Sequence, residues 1–214
     1  MYLSRMELDL TRRETMKALA APSHFHGAVE RAFTGDRKRN LWRLDPLGGR
    51  QYLLLLSKDK PDLTEAAAQF GVSGADPAWE TRDYAPFLQR ITEGSRWQFR
   101  LTANPTVSRA REGMRGKRYA HITPFYQKQW LLEQSGRRGF SLEEDAFEVV
   151  HSRWLRFRKG GGPVVSLLSV TFEGELTVTD PSLLRKTLTE GVGRGKAYGM
   201  GLLTLMRPQG AEYV

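Results

Sequence analysis

The chain has no cysteine. That excludes disulfides, thiolate metal sites and a cysteine nucleophile. Long apolar runs are absent too. The densest are YLLLL at 52–56 and VVSLLSV at 164–170, strand-length and far below the roughly 20 residues a membrane-spanning helix requires. The opening MYLSRMELDLTRRE brings in charge at Arg5 and holds no apolar stretch of signal-peptide length, so a cytoplasmic protein without a membrane partner is expected. Histidine is sparse, with four in 214 residues. His24 and His26 form an HxH pair, but on a helix they point roughly 200° apart, and no acidic or cysteine cluster joins them. No metal and no cofactor are expected. Acidic residues are also in deficit, 24 against 33 Lys and Arg, for a net charge of +9. An excess of that size attracts polyanions such as RNA, DNA or an anionic surface.

What is present suffices for packed cores. Hydrophobic residues make up 40%, with five Trp and ten Phe, and the length allows two small domains or one large one. Residues 2–10 read as an opening strand. Thr11 and Glu14 have capping-box spacing ahead of a short apolar stripe, which Pro22 interrupts. Ser23 then reads as the N-cap of a second helix, with Phe25, Ala28, Val29, Ala32 and Phe33 on its apolar face. A hairpin is expected over 40–58, a short helix over 62–71, and a loop leading into a strand over 71–91.

From about Ser95 the order repeats: a strand at 97–104, a helix at 122–136, two long strands about a glycine-rich turn over 147–179, a helix at 181–191 and a closing strand at 202–206. The stretch 108–121 carries four Arg and one Lys with little apolar content and reads as a basic loop. Strand, helix, two strands, helix, strand is the ferredoxin-like plan. The expectation is an α+β protein of two tandem ferredoxin-like domains, residues 1–93 and 94–214.

One run stands out, GVGRGKAYGMG from Gly191 to Gly201. It fails as a Walker A loop, since Glu190 takes the place of the first glycine and Ala197 that of the magnesium-binding hydroxyl. It fails as a dinucleotide fingerprint because it follows a helix and leads into a strand. Gly191 reads as a helix C-cap. The spacing of Gly193, Gly195, Gly199 and Gly201 suggests backbone lying close to a ligand, with Arg194 and Lys196 supplying charge. His121-Ile122-Thr123 is half of a two-histidine phosphodiesterase signature, and His151-Ser152-Arg153 does not supply the second copy.

The closing block VTFEGELTVTDPSLLRKTLTEGVGRGKAYGMGLLTL, with MYLS at the start, RLTANP at 100–105, GKR at 116–118 and the segment around His26, resembles the CasE family. These are the repeat-processing endoribonucleases of type I-E CRISPR systems, members of the RAMP superfamily and subunits of the Cascade complex. The resemblance implies two ferredoxin-like domains and metal-independent cleavage of precursor CRISPR RNA on the 3′ side of a repeat stem-loop. It implies 5′-hydroxyl and 2′,3′-cyclic phosphate ends, retention of the product within Cascade, and a monomer when free.

Such a reaction needs a base for the 2′-OH, an acid for the leaving 5′-oxygen and cations for the phosphate. His26 matches the family's catalytic histidine. Helical phase puts it beside the apolar stripe, where it should reach the surface, in a first turn that attracts phosphate. Members often carry tyrosine three residues earlier, where this chain has Ser23, so the general base stays open. For RNA binding the resemblance and the charge pattern together single out Lys117, Arg118, Arg156, Arg158, Lys159, Arg194 and Lys196. Two alternatives stand beside this reading: a non-catalytic RNA-binding subunit of the same fold, and a DNA-binding module.

Overall fold

The computed structural model describes residues 1–35, 38–111, 114–158 and 162–208. The chain begins β1 (Tyr2–Glu7), α1 (Arg13–Ala20), α2 (Ser23–Arg31), β2 (Leu41–Leu47), β3 (Arg50–Ser57), α3 (Thr64–Phe70), β4 (Glu80–Asp83) and α4 (Ala85–Gln89). The four strands form an antiparallel sheet in the order β2-β3-β1-β4. Alternation along β3 sends Leu53 and Leu55 towards the helices, where they meet Phe25 and Val29 of α2, Phe70 of α3 and Trp42 of β2.

The second half runs β5 (Arg96–Ala103), β6 (Thr106–Arg111), β7 (Met114–Ala120), α5 (Pro124–Ser135), β8 (Phe140–Ser141), β9 (Phe147–Arg158), β10 (Val164–Val178), α6 (Pro181–Glu190), a 3-10 turn (Lys196–Tyr198) and β11 (Leu203–Met206). Its sheet is ordered β11-β5-β10, with β9 and β8 on the far side of β10. Trp97, Phe99 and Leu101 alternate into a core with Trp130 and Leu131 of α5 and Leu184 and Leu188 of α6. Both halves show the ferredoxin-like strand order, and the fold is α+β as expected. Among the described residues no helix is long and apolar enough to cross a membrane.

The local expectations need three corrections. Residues 106–120, read largely as a basic loop, form the β6–β7 ribbon, with Ser108 opposite Arg118 and Arg109 opposite Lys117. A two-stranded ribbon outside both sheets has no face to bury, so it carries no apolar alternation to betray it. The capping box is absent. Instead the Asp9 carboxylate accepts from Thr11 N at 2.9 Å and Thr11 Oγ1 at 2.6 Å, and α1 starts at Arg13. Ser23 is the first helical residue rather than the cap; Pro22 holds the cap position and no side chain bonds there. At α6 a side chain does cap the helix: Asp180 Oδ1 accepts from Ser182 N and Leu183 N at 2.8 and 2.9 Å ahead of the first turn.

The halves meet across the sheet faces that their helices leave open. Leu41 and Leu56 of the first sheet pack with Leu202, Tyr84 and the partly buried Phe87 and Leu88. Beside this apolar seam lies Arg43, 1% exposed. Its Nε and Nη2 donate to the two Asp45 carboxylate oxygens at 2.7 and 2.5 Å. Nη1 donates to the carbonyls of Arg100 and Leu202, and Nη2 also to Thr204 Oγ1. A buried guanidinium is tolerable only when its charge and its N–H groups are satisfied, and here partners from both halves do so.

Candidate nucleic-acid interface

His26 sits in α2, whose apolar face is set by Phe25, Ala28 and Val29, all buried. Its side chain is only 17% exposed, so it flanks the core more closely than the helical phase suggested. Nδ1 lies 3.9 Å from Glu30 Oε1 one turn on, an ion pair whenever the imidazole is protonated. The His26 N–H donates to the Pro22 carbonyl at 3.1 Å, so this amide is spent inside the helix and cannot serve a phosphate. His24 is exposed on another side of the helix.

The glycine run lies some 170 residues further along the chain, yet its 3-10 turn packs against α2 and β2. The run is a closed loop. Val192 N donates to Gly201 O at 2.8 Å, and Gly201 N donates onward to Thr102 O of β5 at 2.7 Å. Here the expectation of glycines making room for a ligand is corrected. A Cβ on Gly199 would stand 2.7 Å from the Trp42 ring, and one on Gly191 2.9 Å from Leu41 and 2.8 Å from Gly201 O. Both have φ of +77°, unfavourable for any side chain. The equivalent atoms on Gly193, Gly195 and Gly201 would meet Trp130, Met200 and the Val192 carbonyl. The close neighbour that the spacing announced is the protein itself.

Trp42 thereby becomes the wedge between loop and helix. Its ring lies 5.9 Å from Phe25, the residue before His26, and fills the space that Gly199 leaves. Trp42 in turn precedes Arg43, so the clamp between the halves and the seat of the loop are adjacent in β2.

The loop's charge survives this correction. Lys196 is partly buried, and burial first, then the nearby cations Arg39 and Arg138, hold its pKa below the usual lysine value against the pull of Glu190. Arg194 is exposed. Arg39 and Arg138 escaped the sequence reading, and nothing along the chain links positions 39, 138 and 196.

Arg156 and Arg158 lie on the exposed face of β9. Their neighbours Leu155 and Phe157 point the other way, into a small cluster with Met200 and Tyr198 of the glycine loop and Ala21 before α2. The Phe157 ring meets Tyr198 edge-on at 5.1 Å. The basic arm is therefore anchored on the loop that abuts the histidine helix. Lys117 and Arg118 are exposed on β7. Their ribbon is tied to β9 through the Gln127 amide, which donates to the His121 and Ile122 carbonyls and to Ser152 Oγ at 2.9 to 3.1 Å. Lys159 lies outside the described residues.

Between these parts opens a cleft of about 430 Å³, lined among others by Pro22, Arg43, Arg100, His151, Arg153 and Tyr198. His151, Arg153 and Tyr198 were not singled out for this role. Their strand and loop positions gave no hint that they would share a wall. His26 is one turn along α2 from Pro22 and is not part of that lining.

Comparison with known proteins bears on the family and the fold that carry these residues. The chain is 33% identical to the CRISPR-associated endoribonuclease Cse3 of Thermus thermophilus, covering 96% of this chain and 99% of that protein. A structure of Cse3 bound to a 19-nucleotide RNA superposes with a TM-score of 0.81 at 30% identity, over 96% of this chain and 100% of the other. The Thermus thermophilus protein bound to an RNA representing a pre-cleavage complex gives 0.80 at 29%, over 96% and 98%. A chain of a CRISPR RNA-guided surveillance complex shares the fold, with a TM-score of 0.72 at 22% identity over 97% and 100%. The family model for CRISPR associated proteins matches residues 1–207, and on this evidence the chain belongs to that family.

Proposed function

We propose that this protein is an endoribonuclease of the CasE type, cutting precursor CRISPR RNA on the 3′ side of the repeat stem-loop without a metal ion. The observation that carries the proposal is the seating of the His26 helix against the cationic glycine loop, in a fold shared with an RNA-bound endoribonuclease. The 2′-oxygen loses its proton to a base and attacks the adjacent phosphorus, and the bond to the 5′-oxygen breaks. His26 protonates that leaving oxygen, giving a 5′-hydroxyl and a 2′,3′-cyclic phosphate. Lys196 and Arg194 offset the charge that grows on the phosphate. Arg156, Arg158, Lys117 and Arg118 hold the stem by its backbone, since A-form helices are read mainly through shape and phosphates. Lys159 belongs to the same set by its place in the sequence. We take residues 1–93 and 94–214 as the two domains, and further Cascade subunits as the partners with which the product is retained in the cytoplasm.

Ser23, standing where family members often carry tyrosine, favours a second reading: a subunit that binds the repeat and does not cut it. Incubating a repeat stem-loop RNA with the protein in EDTA separates the two. Cleavage by the wild type, reduced about 10²- to 10⁴-fold in His26→Ala with RNA still bound, supports the first. Tight binding without any cut supports the second.

A further inference from the structure

Among the described residues four Phe, Tyr or Trp side chains are exposed, and all four belong to the second half: Tyr119, Phe125, Tyr126 and Trp154. Three rings form a ledge at the start of α5. His121 stacks on Tyr126 at 6.0 Å and Phe125 meets Tyr126 edge-on at 5.3 Å. Phe125 and Tyr126 are 61% and 56% exposed, with Ile122 beside them at 67%. Gln127, the next residue, fixes the ledge to Ser152 of β9. Trp154, 51% exposed, stands two residues further along the same strand face, about 7 Å away. Arg156 and Arg158 continue that face, and Lys117 and Arg118 approach from β7 with the ammonium of Lys117 over the Tyr119 ring.

We propose that this ledge stacks the bases of unpaired nucleotides that adjoin the stem of the bound RNA. The inference rests on the RNA-binding reading above and extends it to a single-stranded segment. Exposed rings flanked by cations suit a nucleic acid strand, because every base has a π-face and every nucleotide a phosphate. A protein partner calls for a different patch, one whose centre is depleted of charge. Paired bases inside a stem keep their faces covered, so the ledge serves nucleotides outside it.

The test measures affinities for three RNAs: a repeat stem-loop with unpaired flanks, the same stem-loop trimmed, and the flanked RNA with abasic sites that keep every phosphate. Wild-type protein should bind the flanked RNA about tenfold tighter than the other two. The Phe125→Ala/Tyr126→Ala variant should reduce that ratio to below twofold, and Tyr126→Phe should retain it. Both substituted positions are solvent-facing, and a melting curve verifies the fold. A ratio that survives in the double variant, or abasic RNA that binds as well as the intact flank, overturns the proposal and turns the ledge into a surface for a protein subunit. Wild-type protein that binds none of the RNAs overturns the RNA-binding reading itself, a result distinct from failure of the ledge alone.

Discussion

The glycine loop and the β9–β10 arm both carry cations, and they hold them in opposite ways. Lys196 is wedged into a loop whose every glycine faces protein, where burial and then two further cations depress its pKa. Arg156 and Arg158 stand on an exposed strand whose other face is apolar and anchored. The first arrangement spends stability to fix a charge in place, which suits stabilising a transition state. The second leaves the charge in water and free to adapt, which suits gathering a phosphate backbone. The loop should therefore govern the rate of cleavage and the arm the affinity for RNA.

The hardest blow to that division is at Arg43. Replacing it with alanine leaves Asp45 buried without its bidentate partner and frees the carbonyls of Arg100 and Leu202. A loss of about 3–5 kcal/mol in denaturant unfolding is expected, with Arg43→Met/Asp45→Leu recovering most of it. Because Trp42 seats the loop from the neighbouring position, the rescued double variant should still lose kcat more than KM. Equal loss in both would mean that loop and arm are not separable. Gly199→Ala is the next test. Its Cβ would meet the Trp42 ring and demand a left-handed backbone, costing about 2–4 kcal/mol in the same unfolding experiment. If stability holds, the loop is looser than its contacts imply, and the contrast with the arm weakens.

The sequence disclosed these regions unequally, for physical reasons. Strand order was legible because each sheet has one buried face, and Trp97, Phe99 and Leu101 announce it by alternation. The β6–β7 ribbon was not, since Arg109, Lys117 and Arg118 sit on strands that cover no core. The glycines of the loop were legible as a close approach, but the partner was not: Trp42 and Leu41 lie some 150 residues away, and only the closed fold brings them under Gly199 and Gly191. His26 could be named through the family resemblance alone, because a single histidine on a helix flank has no pattern of its own. Arg39, Arg138, His151 and Tyr198 join the site through tertiary packing, for which local periodicity has no signal.

The smallest expected effects draw the contrast most finely. Burial and like charges hold the Lys196 pKa down, so in the folded state its ammonium is a cost below that lowered pKa. The cost is relieved as pH rises through the lowered value towards the ordinary lysine value of about 10.4. Lys196→Gln should therefore raise the melting temperature slightly at neutral pH and abolish the gain that the wild type shows as pH climbs through that window. It should also slow cleavage at saturating RNA. Arg156→Gln removes an exposed charge instead. Its melting temperature should stay within about a degree or two of the wild type, as for surface substitutions generally, while the slope of log affinity against log salt falls by about one. Should Lys196→Gln instead flatten the salt slope and leave the saturated rate alone, the loop would be one more backbone clamp, and both cation groups would serve affinity.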